Sequence, residues 1–262
     1  MDSILQAILL GVIEGVTEFL PVSSTGHLLI AQHWLDRRSD LFNIAIQCGA
    51  IVAVLLVYRE RLSGLLRNWR EPESRDYLLK ITVAFVITVV LGLVAKQLGA
   101  ELPDTVTPVA WALIIGGIVI FAIEYWVKSH APSETVGWSV VIAVGIAQIV
   151  AGIFPGVSRS AAAIFAALLF GLTSRPRAAE FAFLVGIPTM FAASAYELLK
   201  MLDDRAAFAA EPWGELGIAC LVSALTAFIT VKWLLRYISG HSFVPFAWYR
   251  LALGGLLLAT VP

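Results

Sequence analysis

Charged residues are scarce in this chain. Only 14% of its 262 residues are Asp, Glu, Lys or Arg, whereas soluble domains carry about 25%. The few charges nearly cancel, leaving a formal net charge of −1. The basic face that typifies nucleic-acid-binding proteins is therefore missing, which argues against a nucleic-acid partner. No polar stretch is long enough to fold separately, so the sequence predicts a single domain over residues 1–262.

Cysteine is also rare. The two cysteines, Cys48 and Cys220, both lie inside apolar runs. Buried thiols in such surroundings usually pack as small apolar side chains. This placement argues against a disulfide framework and against a thiolate metal site.

Apolar residues are abundant instead. They make up 59% of the chain, and the mean hydropathy is +0.86. A spanning helix needs about 20 mostly apolar residues. Six continuous runs have a suitable length, at about 42–58, 79–97, 109–127, 181–200, 215–236 and 245–261. The composition predicts an all-α integral membrane protein with six transmembrane helices and membrane lipids around it.

Two further apolar stretches, 4–35 and 138–171, are interrupted in the middle by LPVSSTGH and FPGVSRS. Proline removes a backbone donor and disfavours helical geometry before it, and serine is a good N-cap for a new helix. Each stretch therefore predicts a helix, a break and a shorter helix, which together form a re-entrant hairpin. Irregular backbone at membrane depth survives only inside protein or along a wet cavity. We expect both breaks to face the interior.

The two interrupted stretches resemble each other. An offset of 134 residues aligns four pairs, Gly11 with Gly145, Glu14 with Gln148, Pro21 with Pro155, and Ser24 with Ser158. This predicts two repeats, 1–130 and 131–262, each made of one hairpin and three spans. An odd number of spans inverts the second repeat, so the two hairpins enter from opposite faces and meet near the midplane.

Loop charges predict the orientation of this architecture. One set of loops is basic, with Arg59, Arg61, Arg67, Arg70, Arg75, Lys80, Lys128, Arg175, Arg177, Lys232 and Arg236. The other set includes acidic segments, with Glu101, Asp104, Asp203, Asp204, Glu211 and Glu215. Cytoplasmic loops are enriched in Lys and Arg. The first hairpin should therefore enter from the external side.

Glu14 and Glu18 lie four residues apart, so they share one face of a helix. Two acids inside a membrane repel each other unless a positive charge lies between them or one is protonated. Paired carboxylates favour a hard cation such as Mg²⁺ or Ca²⁺, which also binds phosphate oxygens. The alternative is that interhelical hydrogen bonds satisfy both acids.

Hydroxyl groups and a histidine follow the first proline. Ser23, Ser24 and Thr25 can cap the second half-helix, whose free N–H groups would then face an anion. These hydroxyls are candidate nucleophiles as well as caps, and we predict that Ser23 and Thr25 bind substrate. His27 follows one turn later and is interpreted as a general acid/base or leaving-group contact, against the alternative of a hydrogen-bonded core residue.

The second break supplies a positive charge. Arg159 lies between Ser158 and Ser160 at the predicted start of another half-helix. A guanidinium suits a phosphate bidentately, although Arg159 could also simply neutralise one of the two acids. We predict that both serines bind substrate. Acids, hydroxyls, a histidine and an arginine at two helix N-termini are the groups that phosphoryl transfer requires.

These residues carry a family resemblance. EGVTEFLPVSSTGH and PGVSRS, together with AAEFAFLVGIP and the Tyr249-Arg250 pair, resemble the undecaprenyl-diphosphate phosphatases of the bacitracin-resistance type along essentially the whole chain. The second motif of that family usually continues Ser-Gly-Ala-Thr. Here Ser160 is followed by three alanines, so the threonine hydroxyl is lost.

The resemblance implies dephosphorylation of undecaprenyl diphosphate, which recycles the lipid carrier for peptidoglycan synthesis and gives bacitracin resistance. It implies a divalent-metal enzyme of the bacterial inner membrane whose site opens to the periplasmic side. The functional groups of the family fall on Glu14, Glu18, Ser24, His27 and Arg159.

Three questions stay open at the level of sequence. The terminal phosphorus could be attacked by Ser24 or directly by water. Inverted repeats and broken helices are equally typical of a secondary transporter or a lipid-carrier flippase. The sequence is also compatible with either a monomer or a homodimer.

Overall fold

A computed structural model describes residues 2–99 and 106–260. These residues form twelve helices and no strand. The helices are α1 (Ser3–Thr17), α2 (Ser24–Trp34), α3 (Asp40–Val57), α4 (Arg59–Arg67), α5 (Pro72–Gln97), α6 (Val106–Lys128), α7 (Trp138–Ile153), α8 (Arg159–Leu169), α9 (Arg175–Asp203), α10 (Arg205–Ala210), α11 (Trp213–Ile238) and α12 (Val244–Thr260). Glu101 and Asp104, which we used to assign the acidic loops, lie outside the described residues.

Five helices are long and apolar enough to cross a membrane: α3, α5, α6, α9 and α11. Each falls on one of the predicted runs, so the prediction of an all-helical, multi-pass membrane protein is confirmed. The sixth run forms α12, which is also apolar but has only 17 described residues. A helix of that length is about 26 Å long, shorter than a hydrocarbon core of about 30 Å.

Both interrupted stretches are broken where proline was expected to break them. The first break separates α1 from α2 and contains Pro21, and the second separates α7 from α8 and contains Pro155. Ser23 and Ser158 are the N-caps of the following helices, and their hydroxyls accept from the N–H groups of Gly26 and Ala161, both at 3.2 Å.

The two capping serines share an unusual backbone conformation. Their φ angles are 72° for Ser23 and 74° for Ser158, a left-handed region that residues other than glycine rarely adopt. The counterpart of Ser158 is therefore Ser23, and not Ser24, with which the offset of 134 residues aligned it. Such strained positions persist only where surrounding structure fixes them, and they cluster at functional sites.

Close helix packing positions the carboxylates of α1. A Cβ on Gly15 would lie 1.9 Å from the hydroxyl oxygen of Thr226 and 2.5 Å from the carbonyl oxygen of Ser223, both on α11. Only glycine allows this approach. Helices α1 and α11 therefore pack in close contact at Gly15, and the neighbouring Glu14 is completely buried.

The breaks lie against the apolar core, not at its edge. Phe19, in the first break, packs edge-to-face against Phe183 of α9 with 5.2 Å between ring centroids. Large apolar side chains such as Ile115, Leu221 and Ile229 are exposed on the outer faces of the spans. Apolar groups outside and polar breaks inside are what a surrounding bilayer requires.

Candidate active site

Glu18 is the point at which the two breaks meet. It caps the end of α1, where its N–H donates to the carbonyl of Glu14 at 2.9 Å. Its carboxylate accepts a hydrogen bond from the hydroxyl of Ser24 and another, at 3.3 Å, from Nη2 of Arg159. The structure therefore brings three of the predicted catalytic residues together, although Arg159 lies far from the others in sequence.

Arg159 begins α8 and reaches a third element. Its Nη2 also donates to the amide oxygen of Gln47 on α3 at 2.6 Å. Among the described residues, no group accepts from Nη1, and the side chain is 24% exposed. The protein thus holds one edge of the guanidinium, and the other edge is available to an anion, as phosphate recognition requires.

Glu14 lies one turn before Glu18 and is completely buried. Neither of its carboxylate oxygens has a hydrogen-bonding partner among the described residues. The alternative that hydrogen bonds satisfy this acid is therefore not what the structure shows. A buried carboxylate without donors is costly and is most often retained for function.

The remaining hydroxyls lie at both breaks. The hydroxyl of Ser160 donates to the carbonyl of Leu20 at 3.1 Å and lies 3.1 Å from that of Ser158. Ser160 thus ties the second break to the first. Ser23, Ser158 and Ser160 are all buried. Thr25 is exposed, and the structure does not bring its side chain to the carboxylates and Arg159.

His27 contacts neither acid nor Ser24 through a hydrogen bond. Its Nδ1 lies 2.7 Å from the carbonyl of Ser23, and its Nε2 lies 2.6 Å from the hydroxyl of Tyr249. Because a carbonyl only accepts, Nδ1 carries the proton in the neutral ring. Nε2 then accepts from the hydroxyl of Tyr249.

Arg250 is fully buried and holds both breaks from α12. Its five N–H groups are all used, with acceptor distances of 2.9–3.3 Å, and the acceptors are the carbonyls of Pro21, Ala112, Leu113, Gly156 and Val157. A Cβ on Gly116 would lie 2.0 Å from Nη2, so glycine makes room for this guanidinium. The positive charge therefore lies between the two breaks.

Sequence reasoning assigned no role to Gln47, Tyr249 or Arg250. Gln47 and Arg250 each stand alone within a predicted span. Polar and ionisable groups inside spans usually mark interior or functional positions. That signal could have identified both residues. Tyr249 resembles the tyrosines of the membrane interface, and only the fold brings it to His27.

The geometry can neutralise and position a phosphate group. Two carboxylates, a hydroxyl bonded to one of them and two guanidinium groups surround the meeting point of two helix N-termini. Such groups stabilise developing charge on a transferring phosphoryl group. The fold is that of a multi-pass helical membrane protein, and its interior holds a candidate site whose groups suit an anionic ligand.

Comparison with known proteins identifies the family to which this membrane protein belongs. A model of the family described as bacitracin resistance protein BacA matches residues 7–256. The undecaprenyl-diphosphatase of Rhizobium etli (strain CIAT 652) is 61% identical over 98% of this chain and 97% of its own. That of Xanthomonas campestris pv. campestris (strain 8004) is 53% identical over 100% of this chain and 99% of its own. The chain belongs to the bacitracin resistance protein BacA family.

Proposed function

We propose that this protein hydrolyses undecaprenyl diphosphate to undecaprenyl phosphate and inorganic phosphate, recycling the lipid carrier for peptidoglycan synthesis and giving bacitracin resistance. The observation that carries the proposal is the contact of Glu18 with both Ser24 and Arg159. A carboxylate, a hydroxyl and a guanidinium are thereby in contact, and these groups suit the roles of base, nucleophile and phosphate ligand. Relatives that match essentially the whole chain are undecaprenyl-diphosphatases.

The contacts support a sequence of steps for the chain's own residues. Arg159 binds the terminal phosphate through Nη1, and the N–H groups at the start of α2 and α8 face the same anion. Ser24 attacks the terminal phosphorus and gives its proton to Glu18, while the bond to the lipid phosphate breaks. Water then hydrolyses the phosphoserine. In the alternative, water attacks directly and Ser24 binds phosphate. His27 handles protons, with Ser23 and Tyr249 fixing its ring.

The carboxylates fit a divalent cation, Mg²⁺ or Ca²⁺. Both oxygens of Glu14 lack protein donors, and oxygen ligands suit hard cations. Within the described part of the chain, no three His, Cys, Asp or Glu residues form a metal cluster. Glu14 and Glu18 would therefore share the cation with substrate oxygens, as Mg²⁺ sites commonly do. The cation would supply charge neutralisation for the diphosphate.

We also propose the full architecture of six spans and two re-entrant hairpins in an inverted repeat, with repeats 1–130 and 131–262. Helix packing supports it. If α1, α3, α5 and α6 correspond to α7, α9, α11 and α12, exchanging the halves converts the observed pair α1–α11 into the observed pair α7–α5. The same exchange converts α3–α11 into α9–α5, and it leaves α6–α12 and α3–α9 unchanged.

The orientation is testable on its own. With basic loops in the cytoplasm of a bacterium, the protein lies in the inner membrane and its site opens to the periplasm. Exposed positions near the ends of spans report on this. A membrane-impermeant maleimide should label Asp203→Cys in intact spheroplasts and should label Arg70→Cys only after lysis. The reverse pattern would overturn the orientation.

Neither a transporter nor a homodimer is needed to account for the site. The transporter alternative is not favoured, because the full-length relatives are enzymes by name. Ser24 and Arg159, which contact Glu18, belong to the same chain, so these contacts form within one subunit. We therefore expect phosphate release without a gradient, a second compartment or a partner subunit.

The proposal is tested by phosphate release from a polyprenyl diphosphate, measured with purified protein in detergent, with and without Mg²⁺ or Ca²⁺. We expect cation-dependent release by the wild type and none by Glu18→Gln or Arg159→Ala. Lys200→Ala, at an exposed position, is the control and should retain activity. Folded wild-type protein that releases no phosphate with either cation would overturn the enzyme assignment.

A further inference from the structure

Gln148 is a buried polar residue without a role in the chemistry so far. It lies on α7 and is 2% exposed. Neither its amide oxygen nor its amide nitrogen has a hydrogen-bonding partner among the described residues. A buried amide left unpaired costs about 1–3 kcal/mol. A well-packed protein that keeps such a group usually supplies a further partner to it.

Gln148 lines a small cavity beside the candidate active site. The other polar residues of this cavity are Glu18, Arg159 and Ser160, and the rest of its lining is apolar, much of it from α9. Its volume is about 20 Å³. A second unpartnered polar atom belongs to one of these lining residues: the buried Nε of Arg159 has no acceptor among the described residues.

The size and charge of the cavity select its occupant. About 10–15 Å³ is enough for one water molecule, whereas a phosphate group is several times larger than water. The unpaired Nε–H of Arg159 needs an acceptor, and a cation cannot accept a hydrogen bond. Water can accept from Nε of Arg159 and from the amide of Gln148 while it donates to the carboxylate of Glu18. These three contacts match the roughly three hydrogen bonds that a buried water typically makes.

We infer that Gln148 is a positioning residue, which binds one water in this cavity together with Glu18 and Nε of Arg159. The inference rests on the proposed function, because the water matters through Arg159. Nη2 of Arg159 is bound by Glu18 and Gln47, and the water holds Nε. The guanidinium is then held at both Nη2 and Nε. Nη1 therefore donates to the phosphate without a change in the side-chain conformation of Arg159.

The substitution Gln148→Met tests the inference, because methionine has a similar size and no amide. Outer partners of site residues commonly contribute 10–100-fold to activity. We expect kcat for phosphate release to fall about tenfold, with a smaller change in KM. The thermal unfolding midpoint in detergent should change little, since the buried amide and its bound water are removed together and methionine fills the space of the amide. Gln148→Asn keeps the amide and should recover part of the lost kcat.

The matched control is Gln97→Met, which makes the same change at an exposed position of α5 and should leave kcat unchanged. An unchanged kcat in Gln148→Met would overturn the inference. So would a fall in kcat that follows a lower unfolding midpoint, because that pattern indicates a merely structural residue. Both results leave the proposed function intact if the wild type releases phosphate.

A second measurement does not depend on activity. A map of the wild-type protein at about 2 Å resolution should contain a water within hydrogen-bonding distance, about 3 Å, of both Nε of Arg159 and the amide of Gln148. The same map of Gln148→Met should lack it. A direct contact between the two side chains, or a cavity without water in the wild type, would overturn the inference even if no phosphate were released.

Discussion

Arg250 donates a hydrogen bond from Nη1 to the carbonyl of Pro21 at 3.2 Å, which links the last helix to the first break. The same guanidinium binds Gly156 and Val157 in the second break. These carbonyls lie in irregular backbone between two helices, where no helical N–H group pairs with them, so they need donors from elsewhere. One side chain on α12 therefore satisfies both breaks and fixes the distance between them.

Replacing Arg250 with lysine keeps the charge but removes the planar fork. An ammonium has three donors and cannot span five carbonyls, and each carbonyl left unpaired costs about 1–3 kcal/mol. We expect Arg250→Lys to lower the free energy of unfolding by about 3 kcal/mol and to abolish phosphate release. Thermal unfolding in detergent and the release assay measure the two effects.

The control for this substitution is Arg236→Lys, which changes an exposed arginine on α11 and should leave both measurements unaltered. Wild-type stability in Arg250→Lys would contradict the interpretation that the guanidinium holds the breaks together. Wild-type activity with lowered stability would show that the breaks keep their catalytic geometry without it.

Removing the charge of Glu14 should separate stability from activity. Its carboxylate is fully buried and has no donors among the described residues, so Glu14→Gln removes a buried charge. We expect an unfolding midpoint that is not lowered. The activity should fall by about 100-fold, and the Mg²⁺ or Ca²⁺ concentration for half-maximal activity should rise, because a cation ligand is lost.

The corresponding control is Glu60→Gln, whose side chain is 91% exposed and which should behave as the wild type. Titrating each cation into both variants and adding a chelator to the wild type complete the experiment. An unchanged cation dependence in Glu14→Gln would mean that Glu14 does not hold the cation.

Local chemistry made the two breaks and the polar groups in them predictable. Proline breaks a helix wherever it lies, and an acid or arginine at membrane depth is costly in any fold. Glu18 and Arg159 could therefore be identified from single positions. The equivalence of Ser158 with Ser23 could not be identified from the sequence, because it depends on backbone angles at the caps.

The partners of Arg250 were beyond sequence reasoning for a different physical reason. Its five acceptors come from α6 and from both breaks, which are far apart in the chain. No periodicity or spacing specifies such a set. The pairing of His27 with Tyr249 likewise depends on α12 packing beside the first break. Tertiary contacts of this kind appear only once the helices are assembled.

Tyr249 should contribute to catalysis through His27. Its hydroxyl lies 2.6 Å from Nε2 of His27, and the two rings are nearly parallel at an interplanar angle of 8°. Tyr249→Phe keeps the stacking and removes the hydroxyl, so the imidazole loses one of its two partners. We expect kcat to fall about tenfold, below the 10²–10⁴-fold of a lost acid/base, with little change in KM.

The matched control is Tyr125→Phe, at a tyrosine that is 81% exposed, and this substitution should leave kcat unchanged. His27→Gln should lower kcat more than Tyr249→Phe, and adding Tyr249→Phe to it should have little further effect. Additive losses in the double variant would show that Tyr249 acts independently of His27.

The contact between Ser24 and Glu18 favours a covalent path over direct attack by water. A hydroxyl bonded to a carboxylate has its proton acceptor in place, which is the arrangement of an activated nucleophile. We therefore expect acid quenching during turnover of substrate labelled at the terminal phosphate to trap the label on the wild-type protein. Ser24→Ala should trap none and should lose at least 10³-fold in kcat, the order found when a nucleophile is removed.

The matched control is Ser239→Ala, which makes the same change at an exposed position. Acid quenching should trap label on this variant as it does on the wild type. The stereochemistry at phosphorus provides an independent criterion, because two displacements retain configuration and one inverts it. Inversion, together with more than a few per cent of residual activity in Ser24→Ala, would assign the attack to water. Ser24 would then act as a phosphate-binding hydroxyl held by Glu18, and the carboxylate of Glu18 would become the base for the attacking water.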